Sequence, residues 1–331
     1  MKVMFIRHAE TEVNTRGVTH GKTDDAQLTE VGKEQARKVA KICVDGGVTT
    51  IYSSPANRAQ ETAEFIAKDD NLPLHTLEEL HERDWGGWSG RPWSDIQNVL
   101  DPMSLDERFN FVPPGGESWK QMEVRLQQAL DHIAATKEDC VAVVLHGGTL
   151  RALMPVLNNH AKDSSFKYEF GNASITVYEY QNGTWRPILI NDTTHLGGNK
   201  ASSVISIFNA KGQLALQLRA SDDKKYPLHW DFSAAGEIDP GENSLEGAKR
   251  ELKEELGVEL DVEPTGDIQY KSPSDGEHLY FFKAKYDGTF KPDPAEVAEA
   301  RFFDREEVDE MLESGEKFHP QFSFAWEKGL I

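Results

Sequence analysis

The sequence predicts two α/β domains in one chain, and three observations carry that prediction. At 331 residues the chain is long for a single core and comfortable for two. In its first part, short apolar runs lead into polar loops that open helices, the alternation of a parallel sheet covered by helices. In its last part, Gly236 to Val258 fills every fixed position of G-x5-E-x7-R-E-U-x-E-E-x-G-U, with U aliphatic, a pattern spanning one helix and the loops around it.

Taken in order, Lys2 to Ile6 reads as a buried strand that delivers Arg7-His8-Ala9-Glu10-Thr11 to a loop at its carboxyl end, where open parallel sheets place their ligands. Leu28-Thr29-Glu30 opens a helix that stops at Gly46-Gly47, and Val48 to Ser53 forms a second strand. Ser54 and Pro55 then read as N-cap and first helical residue, which sets Arg58 in the first turn. Cys140 to Leu145 is a continuous apolar strand ending in His146-Gly147-Gly148-Thr149, with a helix expected from Leu150 to about Leu157. Ile175 to Tyr180 and Thr184 to Ile190 pair around Asn182-Gly183, a favoured two-residue turn. The polar stretch Asn191 to Lys200 carries Gly197-Gly198 and places a boundary near Gly197, giving domains 1–196 and 197–331. Strands resume at Ser203 to Phe208 and Gln213 to Leu218, across Lys211-Gly212. Asn243 as N-cap, Glu246 three residues later and Gly257 as the left-handed terminator delimit a helix from Ser244 to Leu256.

Two chemistries follow from these placements. The first three strands bring Arg7, His8, Arg58 and His146 to one sheet edge beside helix N-termini, an assembly that neutralises a phosphate dianion. On the helix at 244–256, Leu245, Ala248, Leu252 and Leu256 form one apolar stripe, while Glu251, Glu254 and Glu255 share an adjoining arc. Like charges at such spacings repel by roughly 0.2–0.5 kcal/mol per pair on an exposed helix, and more beside an apolar face, unless a cation sits among them. A hard divalent ion with oxygen ligands, Mg2+ or Mn2+, suits that set. Glu296 and Glu299 are candidates to lend it a further carboxylate, and Arg219, Lys224 and Lys225 to meet substrate phosphates.

Composition narrows the partners. Lys and Arg number 36 against 56 Asp and Glu, a formal charge of −20, which argues against a nucleic-acid backbone or an anionic membrane as partner. The apolar run at Lys2 to Ile6 is too short for a signal peptide and no 18-residue apolar stretch occurs, so a soluble, cytoplasmic protein is expected. Cys43 and Cys140 are the only cysteines, and they lack metal-site spacing, so each is expected to be a buried small apolar side chain. Small phosphorylated metabolites or nucleotides are the expected partners.

Phe5-Ile6-Arg7-His8-Ala9-Glu10-Thr11 with Asn14, Ser53-Ser54-Pro55 with Arg58, Leu80-His81-Glu82 before Gly86 and Gly90, Gly115-Gly116-Glu117-Ser118, and His146-Gly147-Gly148-Thr149-Leu150-Arg151 together resemble the histidine phosphatase superfamily. The resemblance covers residues 1 to about 196 and implies a three-layer α/β/α, phosphoglycerate-mutase-like domain that needs no cofactor. It implies that His8 attacks phosphorus and becomes a phosphohistidine, and that Arg7, Arg58 and His146 hold the phosphoryl oxygens. Asn14 and Gly147 would contact phosphate as well, and Glu82 would donate the proton to the leaving oxygen. Two departures stand out: Ala9 replaces the glycine usual after Arg-His, and the segment Arg91 to Pro114, the candidate specificity loop, is short for a mutase. The short segment favours a phosphatase over a phosphoglycerate-mutase-type phosphotransferase, which must keep water from its phosphoenzyme.

The pattern at Gly236 to Val258 resembles the Nudix box, within a branch similar to isopentenyl-diphosphate isomerase. It implies an α/β/α sandwich that hydrolyses a diphosphate linked to another group, here with a nucleoside diphosphate derivative expected. Glu251, Glu254 and Glu255 would be metal ligands, Glu251 also acting in catalysis, and Arg250 would orient a glutamate. The isomerases use a cysteine, and residues 197–331 contain none, which leaves hydrolysis. The expected protein is a bifunctional hydrolase; the alternative is that one domain only binds a ligand and regulates the other.

Overall fold

The structure is a computed structural model that describes residues 1–20, 22, 26–68, 71–197, 200–271 and 276–331. It separates into two compact units, Met1–Leu196 and Gly197–Ile331.

The first unit contains β1 (Lys2–Arg7), α1 (Glu12–Thr15), α2 (Glu30–Asp45), β2 (Thr50–Ser53), α3 (Asn57–Lys68), β3 (Leu74–Thr76), α4 (Trp93–Leu100), α5 (Leu105–Asn110), α6 (Trp119–Ala134), β4 (Cys140–Leu145), α7 (Gly147–Asn158), β5 (Ile175–Gln181) and β6 (Thr184–Asp192). Its sheet runs β3-β2-β4-β1-β5-β6, with β1 to β4 parallel and the last two strands antiparallel. Alternation along β1 divides the core: Val3 and Phe5 join Leu126, Leu130, Leu150 and Leu153 of α6 and α7, whereas Met4 lies at the end of α2 beside Gly46. The result is the three-layer α/β/α arrangement. Both cysteines are free and buried.

Two helix starts differ from expectation. Ser54 does not cap a helix, because its N–H still reaches Val144 O (2.9 Å) across the sheet; Pro55 and Ala56 turn the chain, and α3 begins at Asn57. Helix α7 begins at Gly147, three residues before Leu150, because His146 is already extended (φ −127°, ψ 167°) and its carbonyl accepts the first helical bond from Leu150 N (2.9 Å). Strand β2 starts at Thr50 rather than Val48, the amide of Val48 being drawn back to Cys43 O. The segment Arg91 to Pro114 carries α4 and α5 and is tied at its start by Thr19 N to Arg91 O (2.9 Å) and Trp93 N to Gly17 O (3.0 Å).

The second unit contains β7 (Lys200–Phe208), β8 (Leu214–Arg219), β9 (Trp230–Asp231), β10 (Ala234–Glu237), α8 (Ser244–Leu256), β11 (Glu263–Lys271), β12 (Gly276–Lys285), β13 (Val297–Phe303), α9 (Arg305–Ser314) and α10 (Pro320–Glu327). Its sheet runs β11-β12-β7-β8-β13, with β10 on β7 and β9 on β8. Val204 faces a cluster with Val308 of α9 and Phe322 of α10, while its neighbour Ile205 faces Ala248 and Leu252 of α8, so helices cover both faces of the sheet. No helix among the described residues is long and apolar enough to cross a membrane.

Candidate active sites

Parallel registers bring the first site together. Arg7 pairs with Leu145 and Ser53 with Val144, so β1, β4 and β2 end side by side and release Arg7-His8, His146 and Ser54 at one edge. His8, Arg58 and His146 are almost wholly buried, and the His8 and His146 ring centroids are 5.2 Å apart. His8 Nδ1 lies 2.8 Å from Ala9 O. A carbonyl only accepts, so Nδ1 carries the proton and Nε2 the lone pair. Burial, followed by the charges of Arg58 and Arg7, pushes His8 well below the ordinary histidine value of 6.5, which keeps the imidazole neutral and nucleophilic. Burial does the same to His146, again with Arg58 adding to it, and His146 Nε2 sits 2.7 Å from Ser54 Oγ. Burial lowers Arg7 to about 10, which leaves it charged at neutral pH, and its Nη1 donates to Phe170 O.

The loop after β1 is fixed from several sides. Ala9 N donates to Thr62 Oγ1 (3.1 Å), and that hydroxyl donates to Arg58 O (2.7 Å), which links the loop to the helix carrying Arg58. Glu10 O accepts from Thr29 N (3.0 Å), and a methyl on Gly32 would lie 2.1 Å from the same oxygen, so only glycine lets α2 approach here. The extra methyl of Ala9 is accommodated at 0% exposure.

Glu82 is perched on the N-terminus of α7. One carboxylate oxygen accepts from Gly148 N (2.9 Å) and the other from Arg83 N (2.8 Å). A methyl on Gly148 would lie 2.3 Å from Glu82 Oε1, which is why the second glycine after His146 is needed. The Glu82 loop is pinned by Arg125, whose guanidinium bonds Glu117 through two nitrogens and donates to Glu79 O (2.6 Å) and Glu82 O (3.3 Å). Asn14 sits in α1, where its side-chain oxygen closes a capping box with Thr11. Gly147 is the first residue of α7, and its Cα hydrogen points at Arg7, whose Nε lies 3.4 Å from an added methyl. Thr62, Arg125 and Asn172 were not singled out from sequence. Thr62 stands four residues after Arg58 on the same helical face, a spacing that flags it; the others act across long separations that leave no local mark. His20 was missed as well; its ring centroid lies 5.5 Å from that of His8.

In the second unit, α8 spans Ser244–Leu256 as read from sequence, with Asn243 capping it and Gly257 left-handed at φ 65°. Glu251 and Glu255, one turn apart, are both buried. Glu255 accepts from Ala235 N (2.9 Å) and Gln217 Nε2 (3.1 Å). Burial pushes both carboxyls upward, for Glu255 with the added charge of Glu251 and for Glu251 against the opposing pull of Arg250. Gly236 on β10 lets Glu251 lie flat on the strand: a methyl there would be 2.0 Å from Glu251 Oε1.

The three α8 carboxylates share an arc without converging. Glu254 turns outward, its side chain 54% exposed, to meet Arg250 Nη1 at 3.1 Å, and the same nitrogen holds Glu251 Oε1 at 2.6 Å. Arg250 also grips Glu242 through Nε and Nη2 (both 3.0 Å) and Glu237 O. Among the described residues no three His, Cys, Asp or Glu side chains form a ready metal cage, and a guanidinium occupies the place between two of the expected ligands. Glu296 is close enough for its charge to act on Glu251, whereas Glu299 pairs with Arg301 (3.0 Å). Arg219 is committed to Asp231 (3.0 Å) and Asp223 (2.6 Å), and Lys224 and Lys225 are exposed.

Comparison with known proteins agrees with both halves. A family model described as the histidine phosphatase superfamily (branch 1) matches residues 3–193, and one described as the NUDIX domain matches residues 199–325. Over 203 residues the chain is 31% identical to a metal-independent phosphoserine phosphatase of Arabidopsis thaliana, a match covering 59% of this chain and 83% of that protein. Over 140 residues it is 38% identical to an uncharacterized Nudix hydrolase of Listeria monocytogenes, covering 39% of this chain and 81% of the relative. The crystal structure of a phosphoserine phosphatase from Entamoeba histolytica in complex with 3-phosphoglyceric acid superposes with a TM-score of 0.52 at 28% identity, over 59% of this chain and 99% of the other. The chain therefore belongs to the histidine phosphatase superfamily through its first unit and to the Nudix hydrolases through its second, two hydrolase families joined in one polypeptide.

Proposed function

We propose that the first unit hydrolyses a small phosphomonoester through a phosphohistidine on His8, and that the second hydrolyses a diphosphate linked to another group, such as a nucleoside diphosphate derivative, with Mg2+ or Mn2+. The observation that carries the first half is the His8 tautomer, a buried neutral imidazole with its lone pair on Nε2 among Arg7, Arg58 and His146. Arg7, Arg58, His146, Asn14 and the Gly147 backbone hold the phosphoryl oxygens, whose charge grows in the transition state. Glu82, as the carboxylic acid, protonates the leaving oxygen; as the carboxylate, it then takes a proton from the water that attacks the phosphohistidine. Arginines supply the positive charge beside two neutral imidazoles, and turnover at this site is expected without a metal. Phosphoserine and 3-phosphoglycerate, which occur in the names of similar proteins, head the list of substrates to try.

In the second unit Glu251 and Glu255 supply buried carboxylates with oxygen donors only, the chemistry a hard divalent ion fits, and Glu254 would join them as a ligand on leaving Arg250. When bound, the ion polarises water for attack on phosphorus. Arg250 would release Glu254 while keeping Glu251 and Glu242 in place. The test of the first half is rapid quenching of the enzyme with a radiolabelled phosphomonoester. An acid-labile, base-stable phosphoenzyme that maps to the His8 peptide is expected, and steady turnover with no such species would reject the covalent route.

A further inference from the structure

Hydrogen bonds fix the orientation of the Asn14 amide. Its Oδ1 lies 3.0 Å from Thr11 N, 2.9 Å from Thr11 Oγ1 and 3.1 Å from Asn172 Nδ2. A backbone N–H can only donate, so the atom facing it is the oxygen, and three donors saturate it. The Asn14 Nδ2 end is left as a donor with no partner among the described residues.

Asn172 belongs to a five-residue segment, Phe170-Gly171-Asn172-Ala173-Ser174, that grips three residues of the site at once. Phe170 O accepts from the Arg7 guanidinium, and Ser174 O accepts from Arg7 N (3.2 Å). Ala173 N is shared between Arg7 O (3.1 Å) and His8 O (3.2 Å), and Asn172 Nδ2 donates to His8 O (3.2 Å) as well as to Asn14 Oδ1. Ala173 holds a left-handed φ of 57° at 0% exposure, a conformation costly for alanine that persists only where its surroundings fix it. The segment is anchored from behind by Gly171 N to Asn191 Oδ1 (2.9 Å).

We infer that Asn172 is a positioning residue for phosphate recognition: by bridging the His8 carbonyl and the Asn14 amide oxygen, it orients Asn14 so that the amide NH2 faces the phosphoryl group. The inference rests on the phosphatase reading for its setting. Without Asn172, the amide oxygen keeps both donors of Thr11 but loses the third, and Asn14 turns more readily to meet phosphate with the wrong end.

The test measures inhibition by inorganic phosphate of p-nitrophenyl phosphate hydrolysis in EDTA, using the full chain. Asn172→Ala is expected to raise the phosphate inhibition constant about tenfold, the loss of one hydrogen bond to a charged group, with kcat within about threefold of the parent. Asn14→Ala, which removes the phosphate contact itself, is expected to raise the inhibition constant at least as much and to lower kcat as well, and the double variant to be no worse than Asn14→Ala alone, because Asn172 acts through Asn14. Losses that multiply in the double variant, or an unchanged inhibition constant in Asn172→Ala, would overturn the inference. Should Asn172→Ala not fold, Asn172→Asp keeps the size but sets a carboxylate against Asn14 Oδ1, and at least the same tenfold loss is expected. If the parent hydrolyses no phosphomonoester, the phosphatase reading falls, and calorimetric binding of inorganic phosphate in EDTA still decides the role of Asn172.

Discussion

Replacing His8 by alanine is expected to lower phosphomonoester hydrolysis by at least about 10⁴-fold, because the covalent step then has no nucleophile and the remaining cations can only bind the phosphate. The fold has little to lose. Among the described residues the His8 ring makes one hydrogen bond, from Nδ1 to Ala9 O, and the loop backbone keeps Leu145 O, Thr62 Oγ1 and Thr29 N as partners. Removing the ring leaves Arg7, Arg58 and His146 on elements that do not depend on it, so inorganic phosphate should still bind. Diphosphate hydrolysis should stay at the parental rate, since the second unit has its own sheet and its own cores. Turnover of p-nitrophenyl phosphate and of the best diphosphate substrate, assayed on the same preparation, checks both statements. Parental phosphatase activity in His8→Ala would remove His8 from the mechanism.

Gly236→Ala is expected to have the mirror-image effect: diphosphate hydrolysis down by about 10²–10³-fold and phosphomonoester hydrolysis unchanged. The added methyl would stand 2.0 Å from Glu251 Oε1 and 2.1 Å from its Cδ, closer than any real contact, so the carboxylate must leave the strand. It cannot swing freely, because Arg250 holds it at 2.6 Å and Arg250 is itself fixed by Glu242 and Glu237 O. Displacement therefore passes to the whole Glu242-Arg250-Glu254 network and misplaces the proposed metal ligands. Glu251→Gln, which keeps the shape and removes the charge, should lose activity to a similar degree without the steric cost. Comparing the thermal midpoints of the two variants separates misplacement from unfolding: a drop is expected for Gly236→Ala alone. Diphosphatase activity of Gly236→Ala at the parental level would mean that Glu251 does not work from the position seen here.

Local signals account for what could be read in the sequence. The cap and terminator of α8 lie within the helix's own flanks, with Asn243 Oδ1 taking Leu245 N and Glu246 N and Gly257 at φ 65°, so its bounds were legible. The turn at Asn182 and Gly183, with φ of 51° and 80°, is equally self-contained. Misread starts share a different cause. Ser54 looks like a helix cap until its amide hydrogen bond to Val144 across the sheet holds it extended, and His146 opens its helix earlier than its two glycines suggest. Side-chain partnerships over long separations were not legible at all. Arg219 was a candidate for substrate phosphate, yet the fold commits it to Asp231 and Asp223. The Asn172 bridge to His8 joins residues 164 positions apart, and no motif marks an alanine as left-handed. The glutamate arc on α8 was correct as geometry along a helix, but periodicity is blind to Arg250, whose reach to Glu254 draws one carboxylate outward.

The central claim is that one chain holds two hydrolytic sites of opposite electrostatic design, one lined with arginines and histidines and one with carboxylates. Titration of EDTA against both activities in a single preparation tests it most directly. Phosphomonoester hydrolysis is expected to be unaffected at every concentration, while diphosphate hydrolysis falls to background and returns when Mg2+ or Mn2+ is added in excess. A phosphatase activity that disappears with the chelator, or a diphosphatase activity that survives it, would contradict the claim.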